Sequence, residues 1–272
     1  MPKSRSLIGR AALAACLILS CARSASAQQP DQPVASPAPD QPAFLPRGDY
    51  QMTASVLSNE DIRFTWDIHF GGSIDLVDYR AGRLGIYIDY QAVCGSELRP
   101  FDPTQANYTL EGFGSKRIND TTEIVGIFHH VSRHLSDRPK DFAVAMNMIG
   151  ARALKHLDTG GTTVDLDLEG GFILQHSFVD YSWIGELHVQ SRHPMNDHVA
   201  VYSRGMGQLI GTDGSIPDRG TLAGGFVEAG VRIKGTGATM ELFAGFERRI
   251  DAYPLDRMAK QWALAGVRLV SR

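Results

Sequence analysis

From residue 49 onward, apolar and polar residues alternate with a period of two. In residues 62–76, Ile62, Phe64, Trp66, Ile68, Phe70, Ile74 and Leu76 share one parity, and Arg63, Thr65, Asp67, His69, Ser73 and Asp75 share the other. A helix would scatter these apolar groups around its circumference. A strand places them on one face, because successive side chains point to opposite sides. The same alternation recurs in Leu84, Ile86, Ile88 and Tyr90, in Val164, Leu166 and Leu168, in Tyr181, Trp183, Leu187 and Val189, and in Met240, Leu242, Ala244 and Phe246. It predicts twelve strands: 50–57, 62–77, 83–94, 105–115, 121–133, 142–156, 162–175, 181–191, 197–209, 221–233, 237–249 and 260–270.

A soluble periplasmic β-protein would alternate too. Three features point instead to an all-β chain forming a closed, antiparallel, up-and-down transmembrane β-barrel of about 12 strands. Many predicted strands exceed the usual soluble length of about 5–6 residues. Their number is even, as in bacterial single-chain outer-membrane barrels. The connections after even-numbered strands are short, whereas all the long ones (95–104, 134–141, 210–220, 250–259) follow odd-numbered strands. Short periplasmic turns opposite longer outer loops are the pattern of such barrels, and it puts both termini in the periplasm. Closure follows from lipid itself, where every backbone N–H and C=O must find a partner within the protein.

The first 48 residues break the alternation. Residues 1–27 read as a secretory signal peptide, with Lys3, Arg5 and Arg10 ahead of the apolar run Ala11 to Leu19 and a small-x-small site at Ala25-Ser26-Ala27. Cleavage before a lipidated Cys21 is the alternative. Residues 28–48, rich in Pro and Gln, read as a disordered tether. Removing residues 1–27 takes away four basic residues and no acid, which leaves 23 basic against 30 acidic residues and a net charge of −7. That balance argues against nucleic acid as a partner. Cys94 is then the lone cysteine, so no internal disulfide forms.

With the apolar parity in lipid, the other parity fills the lumen. Inward acids are Asp67, Asp75, Asp89, Glu111, Asp165, Asp167, Glu169, Glu186, Glu228, Glu241 and Glu247; inward bases are Arg63, Arg83, Arg204, Arg232, Arg249 and Arg268. Unpaired charge in a narrow interior is costly. The lumen is therefore either a plug of ion pairs or a hydrated, acid-lined, cation-favouring channel. Trp66, Tyr108, Trp183 and Trp262 are candidates for interfacial aromatic girdles, although Trp262 has the inward parity. Asn119-Asp120 and Gly160-Gly161 are tight-turn signals.

The densest chemical constellation is Phe128-His129-His130-Val131-Ser132-Arg133-His134-Leu135-Ser136-Asp137, at the outer end of the fifth strand. His130, Ser132 and His134 share a parity. A serine becomes a nucleophile beside a base that a third group orients. His130 and Ser132 can fill the first two roles, and Asn147 on the next strand or Asp137 in the loop the third. By parity Asn147 is expected to point inward. His129, His130, His134 and Asp137 are also metal-ligand types, but His130 and His134 lie about 13 Å apart on an extended strand, so no metal site is assigned. The plainest expectation is a polar rim in which His129, His134 and Asp137 line the mouth, with Asp165, Asp167, Glu169 and Arg249 lining the lumen.

The His130/Ser132 pair, with Asn147, resembles outer-membrane phospholipase A and the lipid A deacylases, barrels that carry a His-x-Ser pair on one strand. Arg133 stands where those families have Asn. The stretches 99–111, 129–140, 179–183, 241–256 and 262–272 also resemble a family of bacterial outer-membrane barrels with a His-x-Ser-x-His-Leu-x-Asp element and no established activity. The resemblance implies a barrel in the outer membrane of a Gram-negative-type bacterium. Its expected partners are membrane lipids and the outer-membrane assembly machinery; no cofactor is expected, and no oligomeric state is assigned. Two roles follow: a structural or pore-like barrel with a charged lumen, or an acyl hydrolase using His130, Ser132 and Asn147.

Overall fold

The computed structural model describes residues 40–58, 60–136, 138–139 and 142–271. The segment read as a signal peptide, Cys21 and residues 28–39 of the tether lie outside the described residues, as does Asp137.

Twelve strands follow in chain order: β1 (Ala43–Leu57), β2 (Trp66–Tyr79), β3 (Gly82–Gly95), β4 (Asp102–Asn119), β5 (Thr122–Leu135), β6 (Val144–Thr159), β7 (Thr162–Ser177), β8 (Tyr181–Pro194), β9 (Val199–Thr212), β10 (Leu222–Lys234), β11 (Thr239–Arg249) and β12 (Lys260–Val270). Each pairs antiparallel with its sequence neighbours, and β1 closes onto β12 from Gln51↔Val270 to Leu57↔Leu264. The barrel has no free edge, so its backbone groups are satisfied internally, as a lipid environment demands.

Two strand starts differ from expectation. β1 begins at Ala43, taking Ala43–Gly48 out of the segment read as tether; this stretch pairs with β2 from Ala43↔Asp78 to Gly48↔Ile74, with a bulge between Phe44 and Arg47. β2 begins at Trp66, because residues 60–65 form a loop held by Phe64 N–H to Asp61 O. Arg63 therefore sits in that loop rather than on an inward strand position, and pairs with Asp61 at 2.6 Å.

The connections at one end are 80–81, 120–121, 160–161, 195–198 and 235–238; those at the other include 58–65, 136–143, 213–221 and 250–259. At 160–161 both glycines take positive φ (58° and 80°), which a two-residue hairpin of the I′ type requires. At the 120–121 turn the Asn119 side chain accepts the Thr121 N–H at 3.0 Å, which pins the corner.

The outer wall is apolar. Phe70, Leu84, Ile88, Leu110, Phe128, Ile149, Leu168, Phe172, Leu209 and Leu242 are all exposed. The interior is not the uniform polar face that simple alternation implies. Two apolar clusters lie inside the wall, one around Phe64, Phe243, Trp262 and Leu264, the other around Phe113, Ile127, Met148, Ile184 and Ile210. Trp262 belongs to the lumen and not to a girdle: it is buried, and its indole N–H donates to Glu247 at 3.1 Å.

Candidate functional site

Ser132 lies on β5 three residues before the strand ends at Leu135, about 10 Å along the strand from the rim with the longer loops. The register across β4, β5, β6 and β7 puts Leu110, His130, Asn147 and Gln175 in one row, and Tyr108, Ser132 and Ala145 in the next. Parity sends Phe128, His130, Ser132 and His134 outward, while His129 and Arg133 turn inward.

Asn147 faces outward as well, contrary to the sequence expectation. Met148 is buried and Met146 packs against the same interior cluster. The run Val144-Ala145-Met146-Asn147-Met148-Ile149 is apolar on both faces, so polarity alone assigned its inner side wrongly. The Asn147 amide oxygen accepts a hydrogen bond from His130 Nδ1 at 2.7 Å. An amide oxygen can only accept. The ring proton of neutral His130 is therefore on Nδ1 and a lone pair is on Nε2, the tautomer a general base needs. Asn147 Nδ2 donates in turn to Gln175 Oε1 at 3.2 Å, which fixes the amide's orientation. Ser132 Oγ is hydrogen-bonded to His134 Nε2 at 2.8 Å. The His134 ring meets Tyr108 edge-on, 5.4 Å between centroids, and Tyr108 packs on Tyr90 at 5.1 Å.

The alternate residues of β5 serve the lumen. His129 bonds to Glu111 at 3.1 Å. Arg133 donates to the backbone oxygens of Asp251 and Ala252 at 2.7 and 3.0 Å. The histidines therefore split across the wall, and His129 cannot join His130 and His134 around one ion. Among the described residues no group of three or more His, Cys, Asp or Glu side chains is placed to hold a metal.

The lumen is crossed by ion pairs. Arg152 spans from Glu111 on β4 to Glu169 on β7. Arg268 bonds Glu228 at 2.8 Å and Glu241 at 2.6 Å. Arg83 joins Asp75 and Glu123, and Arg249 joins Asp67 and Glu247. Asp165 bonds His156 at 2.6 Å and also Arg192. Asp167 lies 4.0 Å from Arg152. The sequence pattern identifies most of these acids and bases but not Glu123, Arg152 or Arg133. Arg133 and Glu123 sit on a strand whose inward positions also include the apolar Val125, Ile127 and Val131, which hides the parity.

Loop 250–259 lies at the end with the longer connections. It folds inward, burying Ile250, Asp251, Ala252 and Tyr253. Arg219 grips it through Asp251 at 2.7 Å while also holding Asp180 at 2.9 Å. Those two carboxylates hold the Arg219 guanidinium well above its usual range. Beneath the loop lies a cavity of about 110 Å³ whose walls include Asp89, His129, Glu169, Glu186 and Arg249. No helix among the described residues is long and apolar enough to cross a membrane, which says nothing against a barrel.

No protein-family model matches the chain. No curated protein matches it either. Among solved structures, it is similar to a Salmonella typhi outer membrane phospholipase, crystallised as a dimer with bound calcium, at 12% identity and a TM-score of 0.50, over 83% of this chain and 90% of that one. An active-site mutant of outer membrane phospholipase A from Escherichia coli is similar at 12% identity and a TM-score of 0.50, over 90% of this chain and 95% of that one. KdgM porin aligns at 8% identity and a TM-score of 0.47, over 82% of this chain and 98% of that one. At these identities the likeness concerns fold, and the fold of this chain is that of the outer-membrane β-barrels.

Proposed function

We propose that this chain is an outer-membrane barrel, with both termini periplasmic, that hydrolyses lipid acyl esters at its outward face. Ser132 is the nucleophile, His130 the general base and Asn147 the group that orients the imidazole. The observation that carries this reading is the 2.7 Å His130–Asn147 hydrogen bond on the lipid-facing wall, one strand position from Ser132. An imidazole, an amide and a hydroxyl on a wall that is elsewhere largely apolar cost desolvation there.

In this reading Ser132 Oγ attacks the ester carbonyl and His130 Nε2 takes its proton. The same imidazolium then protonates the departing alcohol oxygen, and a water activated by His130 releases the acid. Asn147 supports the imidazolium by accepting its Nδ1–H. The described outward neighbours of Ser132 are hydroxyl, imidazole, amide and ring groups with no carboxylate. They do not compose a hard-cation site, and no step is routed through one.

The ion pairs across the lumen and the inward-folded loop 250–259 weigh against the pore-like reading. The membrane partners, lipids and the outer-membrane assembly machinery, belong to this proposal as the surroundings such a barrel requires.

The test is phospholipid hydrolysis by the purified full chain in mixed micelles. Ser132→Ala is expected to abolish turnover, and His130→Ala to lower kcat by about 10²–10⁴-fold. Asn147→Ala is expected to cost less than His130→Ala, because it removes only the orienting bond. Activity unchanged in Ser132→Ala would remove this reading.

A further inference from the structure

Ser132 lies between two imidazoles on the same outward face, His130 two residues before it and His134 two residues after. The two rings are built differently. His130 has an amide behind it that fixes its tautomer and supports its charged form. His134 has no such partner among the described residues: its contacts are the Ser132 hydroxyl and the edge of Tyr108. A base without an orienting group is a poor base. Yet it is His134, and not His130, that Ser132 Oγ engages, at 2.8 Å.

Resting on the hydrolase reading above, we propose that His134 is a positioning residue that holds the Ser132 hydroxyl in a resting rotamer, turned away from His130. The Ser132 side chain then exchanges between staggered χ1 wells, one aimed along the strand toward His134 and one toward His130. Only the second is competent for attack. Tyr108 sets how firmly the first is held, because its ring fixes the His134 imidazole, and Tyr90 backs Tyr108 in turn. A lipid chain lying on that aromatic surface would displace His134 and free the hydroxyl, so the same contact couples substrate arrival to activation. The cost of the resting state is about one neutral hydrogen bond, which corresponds to roughly a two- to ten-fold reduction in the competent population.

The experiment compares wild type, His134→Phe, His130→Ala and Ser132→Ala as full chains in detergent micelles. Phenylalanine keeps the ring against Tyr108 and removes the bond to Ser132. The rate of covalent labelling by a fluorophosphonate is expected to rise about two- to ten-fold in His134→Phe and to fall in His130→Ala. A rate in His134→Phe equal to or below wild type overturns the proposal. A second readout needs no activity: the ¹⁵N resonance of His134 Nε2 is expected to move in Ser132→Ala, and an unmoved resonance also overturns it. If wild type and Ser132→Ala are equally unlabelled, the hydrolase reading falls, and the nuclear resonance still decides whether His134 holds Ser132.

Discussion

The charged side chains that matter most for stability are those with no exposure. The Arg152 side chain is fully buried between Glu111 and Glu169. Removing one partner of a buried pair leaves the other charge uncompensated, at about 3–5 kcal/mol. Arg152→Met is therefore expected to lower the unfolding free energy read from urea titration in micelles by that order, whereas Arg152→Met with Glu111→Gln is expected to recover part of the loss. Arg80, paired with Asp40 at 2.7 Å but largely exposed, is expected to show no measurable effect when replaced by Ala in the same assay. At this scale much was legible. In β2, β3, β7, β10 and β11 the inward acids and bases share one parity, so they follow from spacing, although Tyr87, Val93, Phe226 and Phe243 share that inward face. Asn147 was not legible, since β6 carries methionines on its inner face where the rule expects polar groups.

At the scale of elements, close approaches and loops decide what the strands tolerate. The Trp183 indole lies across Gly211, where a Cβ would come within 1.9 Å of Nε1. Gly211→Val is expected to force the ring off this seat and destabilise the barrel by about 1–3 kcal/mol. The checks are a shift in tryptophan emission and the unfolding midpoint. Loop 60–65 depends on Asp61, which Arg63 holds well below the usual carboxylate range through a direct hydrogen bond, with Lys260 at 3.0 Å assisting. A carboxylate depressed in the folded state stabilises fully above its unfolded value near 4, and the contribution is lost as pH falls below it. Limited proteolysis of this loop is thus expected to be slow at pH 7 and to accelerate below about pH 4. In Asp61→Asn it is expected to be fast throughout. That residues 60–65 leave the sheet was hidden by Ile62 and Phe64, which continue the strand period although Phe64 packs inward from a loop.

For the molecule as a whole, salt bridges and two apolar clusters occupy the lumen around a cavity of about 110 Å³, and loop 250–259 folds in at the end with the longer connections. Planar-bilayer conductance of the full chain is expected to be flat at physiological salt. Arg219→Ala combined with Arg133→Ala removes the arginine bonds to Asp251 and Ala252 and leaves those from Tyr181 and Gln105, and is expected to produce flickering conductance without unfolding the wall. A steady open pore in the wild type would contradict the closed lumen.

The period-two alternation determined the strand number, the antiparallel order, the long and short ends, and that His130 and Ser132 share one face of their strand, though not which side of the wall that face is. These are local properties: a strand's faces follow from its own residues, and hairpin connections pair it with its neighbours. What lies between distant strands was decided only by closing the cylinder. The pairing of Arg268 with Glu228, the reach of loop 250–259 into the lumen and the bond between His130 and Asn147 each join residues whose meeting depends on register and curvature, and no spacing along a single strand encodes either.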